Sequence, residues 1–194
     1  MSLPDIPLKA PRRGNRFTRT LGRLGLAASG WKVTGKMPDR SKLVMIVAPH
    51  TSNRDFFYGI LAVFALGLHA NWLGKHTLFR GPAGRLMRWL GGISVDRSRR
   101  NDLVEQTAAV FQKRNRLWLA ITPEGTRKKV ERWKSGFWHI ARAAKVPILL
   151  VYFDYARREI GFGPLLDPSD DYASDLAQII AFYQGIVPCH SERF

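Results

Sequence analysis

His50 and Asp55, five positions apart in the segment Pro49-His50-Thr51-Ser52-Asn53-Arg54-Asp55, are the first pair in this chain whose types and spacing can do chemistry. An imidazole takes up a proton near neutral pH, and a carboxylate bonded to one ring nitrogen leaves the other free to act as the base. A second group lies far along the chain, in Pro123-Glu124-Gly125-Thr126-Arg127. Its glycine permits close backbone approach, and the hydroxyl and forked guanidinium that follow suit a phosphate monoester. Arg97 is a candidate second clamp. A base, an orienting carboxylate and a phosphate grip together fit transfer of an electrophilic group onto a hydroxyl of a phosphorylated acceptor. Taken singly, the pieces also have bland readings. His50 and Asp55 describe a packed histidine beside a capped helix, and Arg97 and Arg127 describe surface arginines paired with Asp96 and Glu124.

The elements that must position these residues are legible around them. Leu43 to Ala48 is a continuous apolar run, suited to a strand covered on both faces, and Pro49 ends its ladder. His50 then stands at the strand's carboxyl end. Ser52 is a natural helix N-cap, with Asp55 three residues on as the capping-box acid in the first turn. Further strands are expected at Trp31 to Gly35, Asn71 to Gly74, Ile93 to Val95, Leu117 to Thr122, Ile148 to Tyr155 and Ile160 to Phe162. Helices are expected after His50, from Ala83 to Leu90, from a cap at Asn101 to about Arg114, from Gly136, and from Asp175 to Ile186. The alternation predicts an α/β fold: a single domain with a mostly parallel central sheet flanked by helices. Ligands collect where the strands of such sheets end, which is where His50, Arg97 and the Glu124 to Arg127 turn fall.

With 194 residues and 45% hydrophobic content, the chain is long enough for one sizeable core. Thirty-one Lys and Arg against 15 Asp and Glu give a net charge of +16, which favours an anionic partner. The lone Cys189 excludes an intrachain disulfide and a cysteine-based metal motif, and no histidine pair has ligand spacing, so no metal is expected. Residues 1–30 form a basic N-terminal segment, with 1–15 rich in Pro and Arg and expected to be poorly ordered. In 16–31, Phe17, Leu21, Leu24 and Ala28 recur at helical spacing among arginines. That pattern describes either a helix lying on an anionic membrane surface or one packed on its own domain, the packed reading being helped by neither Gly22 nor Gly25. The N-terminus lacks the order of a secretory signal, and no apolar stretch is long enough to span a bilayer, so a cytoplasmic, peripheral protein is expected. The alternative from another class is a nonenzymatic basic protein binding nucleic acid or membrane. Charge alone supports it, and no nucleic-acid signature accompanies the charge, so nucleic acid is not an expected partner.

Four blocks in order carry a family resemblance. Pro49-His50-Thr51-Ser52-Asn53-Arg54-Asp55 resembles the HxxxxD motif of the glycerophospholipid acyltransferases, whose members include 1-acyl-glycerol-3-phosphate acyltransferases. Gly91 to Arg97 resembles the second block, Pro123 to Arg127 the third, and Val146 to Val151 the fourth, so the similarity covers roughly residues 31 to 155. The resemblance implies an acyltransferase domain over 31–194 with a glycerol-3-phosphate acyltransferase-like fold. It also implies transfer of a fatty acyl group from acyl-CoA or acyl carrier protein to a lysophospholipid hydroxyl. His50 would be the base and Asp55 its orienting partner, with Arg97, Glu124, Gly125, Thr126 and Arg127 shaping the acceptor site. No cofactor is implied beyond the thioester co-substrate. Pro49 departs from the Asn that often precedes the His, Lys128 from a frequent Ser after the third block, and Leu150 from a frequent second Pro in the fourth. These changes bear on the acceptor, and a phosphate-free or amine-bearing lysolipid is the alternative substrate.

Overall fold

A computed structural model describes residues 3–95 and 100–193. Arg97 therefore lies outside the described residues. The elements run α1 (Arg16–Ser29), β1 (Lys32–Gly35), β2 (Lys42–Ala48), α2 (Asn53–Leu66), β3 (Ala70–Lys75), α3 (Gly81–Trp89) and β4 (Gly92–Val95). They continue with α4 (Arg100–Lys113), β5 (Leu117–Ile121), α5 (Gly136–Ala144), β6 (Ile148–Asp154), β7 (Glu159–Leu166) and α6 (Tyr172–Tyr183). The strands form one seven-stranded sheet in the order β1-β7-β6-β2-β5-β3-β4. Every pairing is parallel except β6 with β7. The expected α/β domain with a mostly parallel sheet is the fold observed.

Strand β2 lies between β5 and β6 and is buried on both faces, which is why its sequence is apolar without alternation. Leu43 and Met45 join a layer with Leu26 of α1 and Leu61, Ala62 and Ala65 of α2. Val44, Ile46 and Ala48 join the opposite layer with Phe111, Phe137, Ile140 and Ile179 from α4, α5 and α6. The strand ends at Ala48, and the Ala48-Pro49 peptide is cis.

Several expectations for single elements need correction. Residues 3–15 are not loose: Ala10 is fully buried, the Arg13 N–H donates to Gly67 O at 2.9 Å, and the His69 N–H donates to Pro11 O at 2.8 Å. These backbone bonds anchor a stretch whose composition alone reads as disordered. Gly22 and Gly25 do serve packing. A Cβ at position 22 would lie 2.3 Å from the Ala65 nitrogen, and one at 25 would lie 2.8 Å from the Leu61 side chain, so Gly22 lets α1 rest on the backbone of α2 and Gly25 makes room for Leu61. As a result α1 buries Gly22 and Leu26 and turns Phe17, Leu21 and Leu24 to solvent. Asn101 is inside α4 rather than capping it. Helix α6 starts earlier than its apolar pattern indicates, because the Asp171 side chain accepts from the Ala173 and Ser174 N–H groups and caps it there.

Candidate functional site

The site begins where β2 stops. Ser52 caps α2, and Asp55 reaches back as the acid of the capping box. Oδ2 of Asp55 accepts from the N–H groups of Thr51 at 3.0 Å and Ser52 at 2.9 Å. Only 2% of Asp55 is exposed, so these donors and the positive end of the helix, rather than water, face its carboxyl group. The same Oδ2 lies 3.1 Å from Nδ1 of His50, whose side chain is 15% exposed. Among the described residues Nδ1 finds no aligned hydrogen-bond partner, so this is a close polar contact rather than a linear bond. Because Nδ1 is the nitrogen that faces the carboxylate, Nε2 is left for an incoming group.

The third predicted cluster converges on the first. β5 pairs directly with β2, which brings the turn after β5 beside His50. Glu124 is 3% exposed, and its Oε1 accepts the His50 backbone N–H at 3.0 Å. Burial pushes the Glu124 carboxyl above its ordinary range, opposed by hydrogen bonds from its own N–H and that of His50, and Oε2 has no hydrogen-bond partner among the described residues. Glu124 thus turns inward to the histidine loop instead of forming a surface pair with Arg127. Gly125 has φ +64°, and a Cβ there would lie 2.6 Å from Nζ of Lys134. The glycine makes room for an ammonium group over the turn. Thr126 is half-buried, its Oγ1 accepts the Lys128 N–H at 3.3 Å, and Arg127 is exposed. Among the described residues, no group of three or more His, Cys, Asp or Glu side chains is placed to hold a metal ion.

Two contacts at this site come from residues that local patterns do not mark. The Tyr155 hydroxyl, just past β6, donates to Oδ1 of Asp55 at 2.5 Å across 100 residues of sequence. Burial, followed by the Asp55 carboxylate, pushes the Tyr155 phenol well above its ordinary value. The C-terminal tail crosses the same end of the sheet: Val187 O accepts the Tyr155 N–H at 2.8 Å, and the His190 N–H donates to Thr51 Oγ1 at 3.2 Å. The only sequence-level signal for Tyr155 was its place at a strand's carboxyl end.

A family model described as Acyltransferase matches residues 31–154, well over half of the chain. The chain belongs to the acyltransferase family. The matched segment nearly coincides with the span of the four sequence blocks and includes His50, Asp55 and the Glu124 to Arg127 turn. No curated protein gives a significant match. Among solved structures, the chain is similar in fold to the 1-acyl-sn-glycerophosphate (LPA) acyltransferase PlsC from Thermotoga maritima. The TM-score is 0.62 and the identity 16%, over 86% of this chain and 75% of that one. The chain thus shares its fold with that enzyme, and it carries its polar cluster at the carboxyl end of the central strands.

Proposed function

We propose that this acyltransferase moves a fatty acyl group from an acyl thioester to the hydroxyl of a lysophospholipid such as 1-acyl-glycerol-3-phosphate. The observation that supports it most is the His50 imidazole held 3.1 Å from a buried carboxylate, beside a turn that has the Lys134 ammonium over Gly125. Nε2 of His50 takes the proton of the acceptor hydroxyl, and that oxygen attacks the thioester carbonyl. The tetrahedral intermediate collapses, the carbon–sulfur bond breaks, and the thiolate recovers the proton from the imidazolium. Asp55 opposes the charge that His50 gains during this cycle. A base in this role contributes about 10²–10⁴-fold in rate. The steps require neither a metal nor a covalent acyl-enzyme.

Arg127, Thr126 and the Gly125 backbone, with Lys134 alongside and Arg97 as a further clamp, are the candidates for the acceptor phosphate. Glu124 shapes the site by fixing the His50 loop. The donor is acyl-CoA or acyl carrier protein. The membrane reading of α1 is favoured by exposure: Phe17, Leu21 and Leu24 are 73%, 46% and 64% exposed, with Arg16, Arg19 and Arg23 on the same helix. We place this face against an anionic membrane surface. Among the described residues, no helix is long and apolar enough to cross a membrane. An acceptor panel with one acyl thioester tests the substrate. Lysophosphatidate is expected to be acylated, and Arg127→Ala is expected to raise its KM while leaving that of monoacylglycerol unchanged. Preference for monoacylglycerol by the wild type would favour the phosphate-free acceptor instead.

A further inference from the structure

We infer that Tyr155 is a positioning residue for the His50–Asp55 pair, its hydroxyl locking the carboxylate so that Oδ2 faces the imidazole. This inference rests on His50 and Asp55 acting as base and orienting acid. Tyr155 itself lies one residue beyond the segment that the family model matches.

The geometry divides the two carboxylate oxygens between two tasks. Oδ2 takes the Thr51 and Ser52 N–H groups and faces His50, while Oδ1 takes the phenol at 2.5 Å. Backbone N–H groups fix one oxygen in place, but the carboxylate can still swing about it. A donor on the second oxygen removes that freedom. The phenol is well suited because it remains an O–H donor wherever the imidazole titrates.

The ring is held on its other sides. Trp31 meets it edge-on with centroids 4.8 Å apart, and Tyr58 of α2 does so at 6.3 Å. Tyr58 lies one turn after Asp55 on the same helix, and Trp31 stacks on Tyr58 at 4.4 Å, so the three rings link the end of β6 to the first turns of α2. The Tyr155 N–H bond to Val187 ties its backbone to the C-terminal tail as well. A phenol held this firmly can set the angle of a carboxylate, which a mobile surface tyrosine cannot.

The test is Tyr155→Phe, which keeps the ring and its aromatic contacts and removes only the hydroxyl. With an acyl thioester and lysophosphatidate, kcat is expected to fall about ten- to a hundredfold with KM unchanged, the size of one hydrogen bond to a charged group. In an Asp55→Asn background the same change is expected to cost less than about twofold, because residues acting through one another are not additive. A kcat loss under about threefold, or equal losses in both backgrounds, would overturn the inference. A second readout needs no turnover. In protein labelled with 15N-histidine, Tyr155→Phe is expected to shift the His50 ring resonances while leaving His139 in place, and unshifted His50 resonances would overturn the assignment. Absence of acyl transfer by the wild type, with the resonance shift present, would count against the proposed reaction and leave the positioning role standing.

Discussion

Asp55→Asn and Asp55→Ala separate the two jobs of this carboxylate, because one variant keeps the cap and both lose the charge. The charge sits 3.1 Å from His50 Nδ1. At an effective dielectric of 20, Coulomb's law gives about 5 kcal/mol for an imidazolium at that distance, and partial solvent access reduces it to about 3–5 kcal/mol. That corresponds to a loss of about 10²–10⁴ in kcat for either variant. Stability should divide them. In Asp55→Asn the amide oxygen can still accept the Thr51 and Ser52 N–H groups, and the Tyr155 hydroxyl can turn to accept from the amide NH₂. Neutral bonds then replace charge-assisted ones, at about 1–3 kcal/mol in total. Asp55→Ala strips both N–H groups of their acceptor and should cost about 1–3 kcal/mol more. Urea unfolding followed by circular dichroism gives the stabilities, and thiol release from the acyl donor gives kcat. The reasoning is refuted if Asp55→Asn keeps more than about a tenth of wild-type turnover, or if the two variants are equally stable.

Gly22→Ala gains about 1 kcal/mol in helix propensity but drives a methyl to 2.3 Å from the Ala65 nitrogen. The clash is with backbone, so the net effect should be a loss of about 1–3 kcal/mol by chemical denaturation. Burial favours the neutral Asp175, yet hydrogen bonds from the Trp138 indole at 2.7 Å and Ser169 N–H at 2.8 Å outweigh it and hold its carboxyl below the ordinary range. Its stabilising contribution is therefore complete above the unfolded carboxyl's pKa of about 3.9 and is lost as pH falls through the depressed folded value. Asp175→Asn should thus be less stable than wild type at pH 6, with the gap closing toward pH 2, about the low end of the carboxylate range; a gap independent of pH would show another cause. Replacing Phe17, Leu21 and Leu24 together by Ser should abolish flotation with phosphatidylglycerol vesicles while leaving the melting temperature unchanged, since all three are exposed. Undiminished flotation would remove α1 from the membrane contact.

How legible each part was in the sequence follows from how local its determinants are. The β2–α2 unit could be read residue by residue, because strand burial, Pro49, the Ser52 cap and Asp55 all act within a few positions of one another. The meeting of His50 with Glu124 followed from strand ends in a parallel sheet, but the inward turn of Glu124 did not, since it depends on the His50 N–H lying within reach. Tyr155 was out of reach because its partner is 100 residues away and no periodic pattern marks a phenol at the end of a strand. The packing of Ala10 and the role of Gly22 were missed for a related reason. Composition registers Pro- and Arg-rich stretches as loose and Gly as a breaker, whereas the fold buries Ala10 within the first and uses Gly22 where two helix backbones approach closely. The acidic cap at Asp171 was a local signal that the apolar periodicity of α6 masked.

Thiol release by His50→Ala, measured with an acyl thioester and lysophosphatidate beside the wild type, bears most directly on the central claim. The account predicts turnover lower by about 10²–10⁴-fold with an intact fold, since the imidazole supplies the base and contributes little to the core. Turnover equal to the wild type would contradict it.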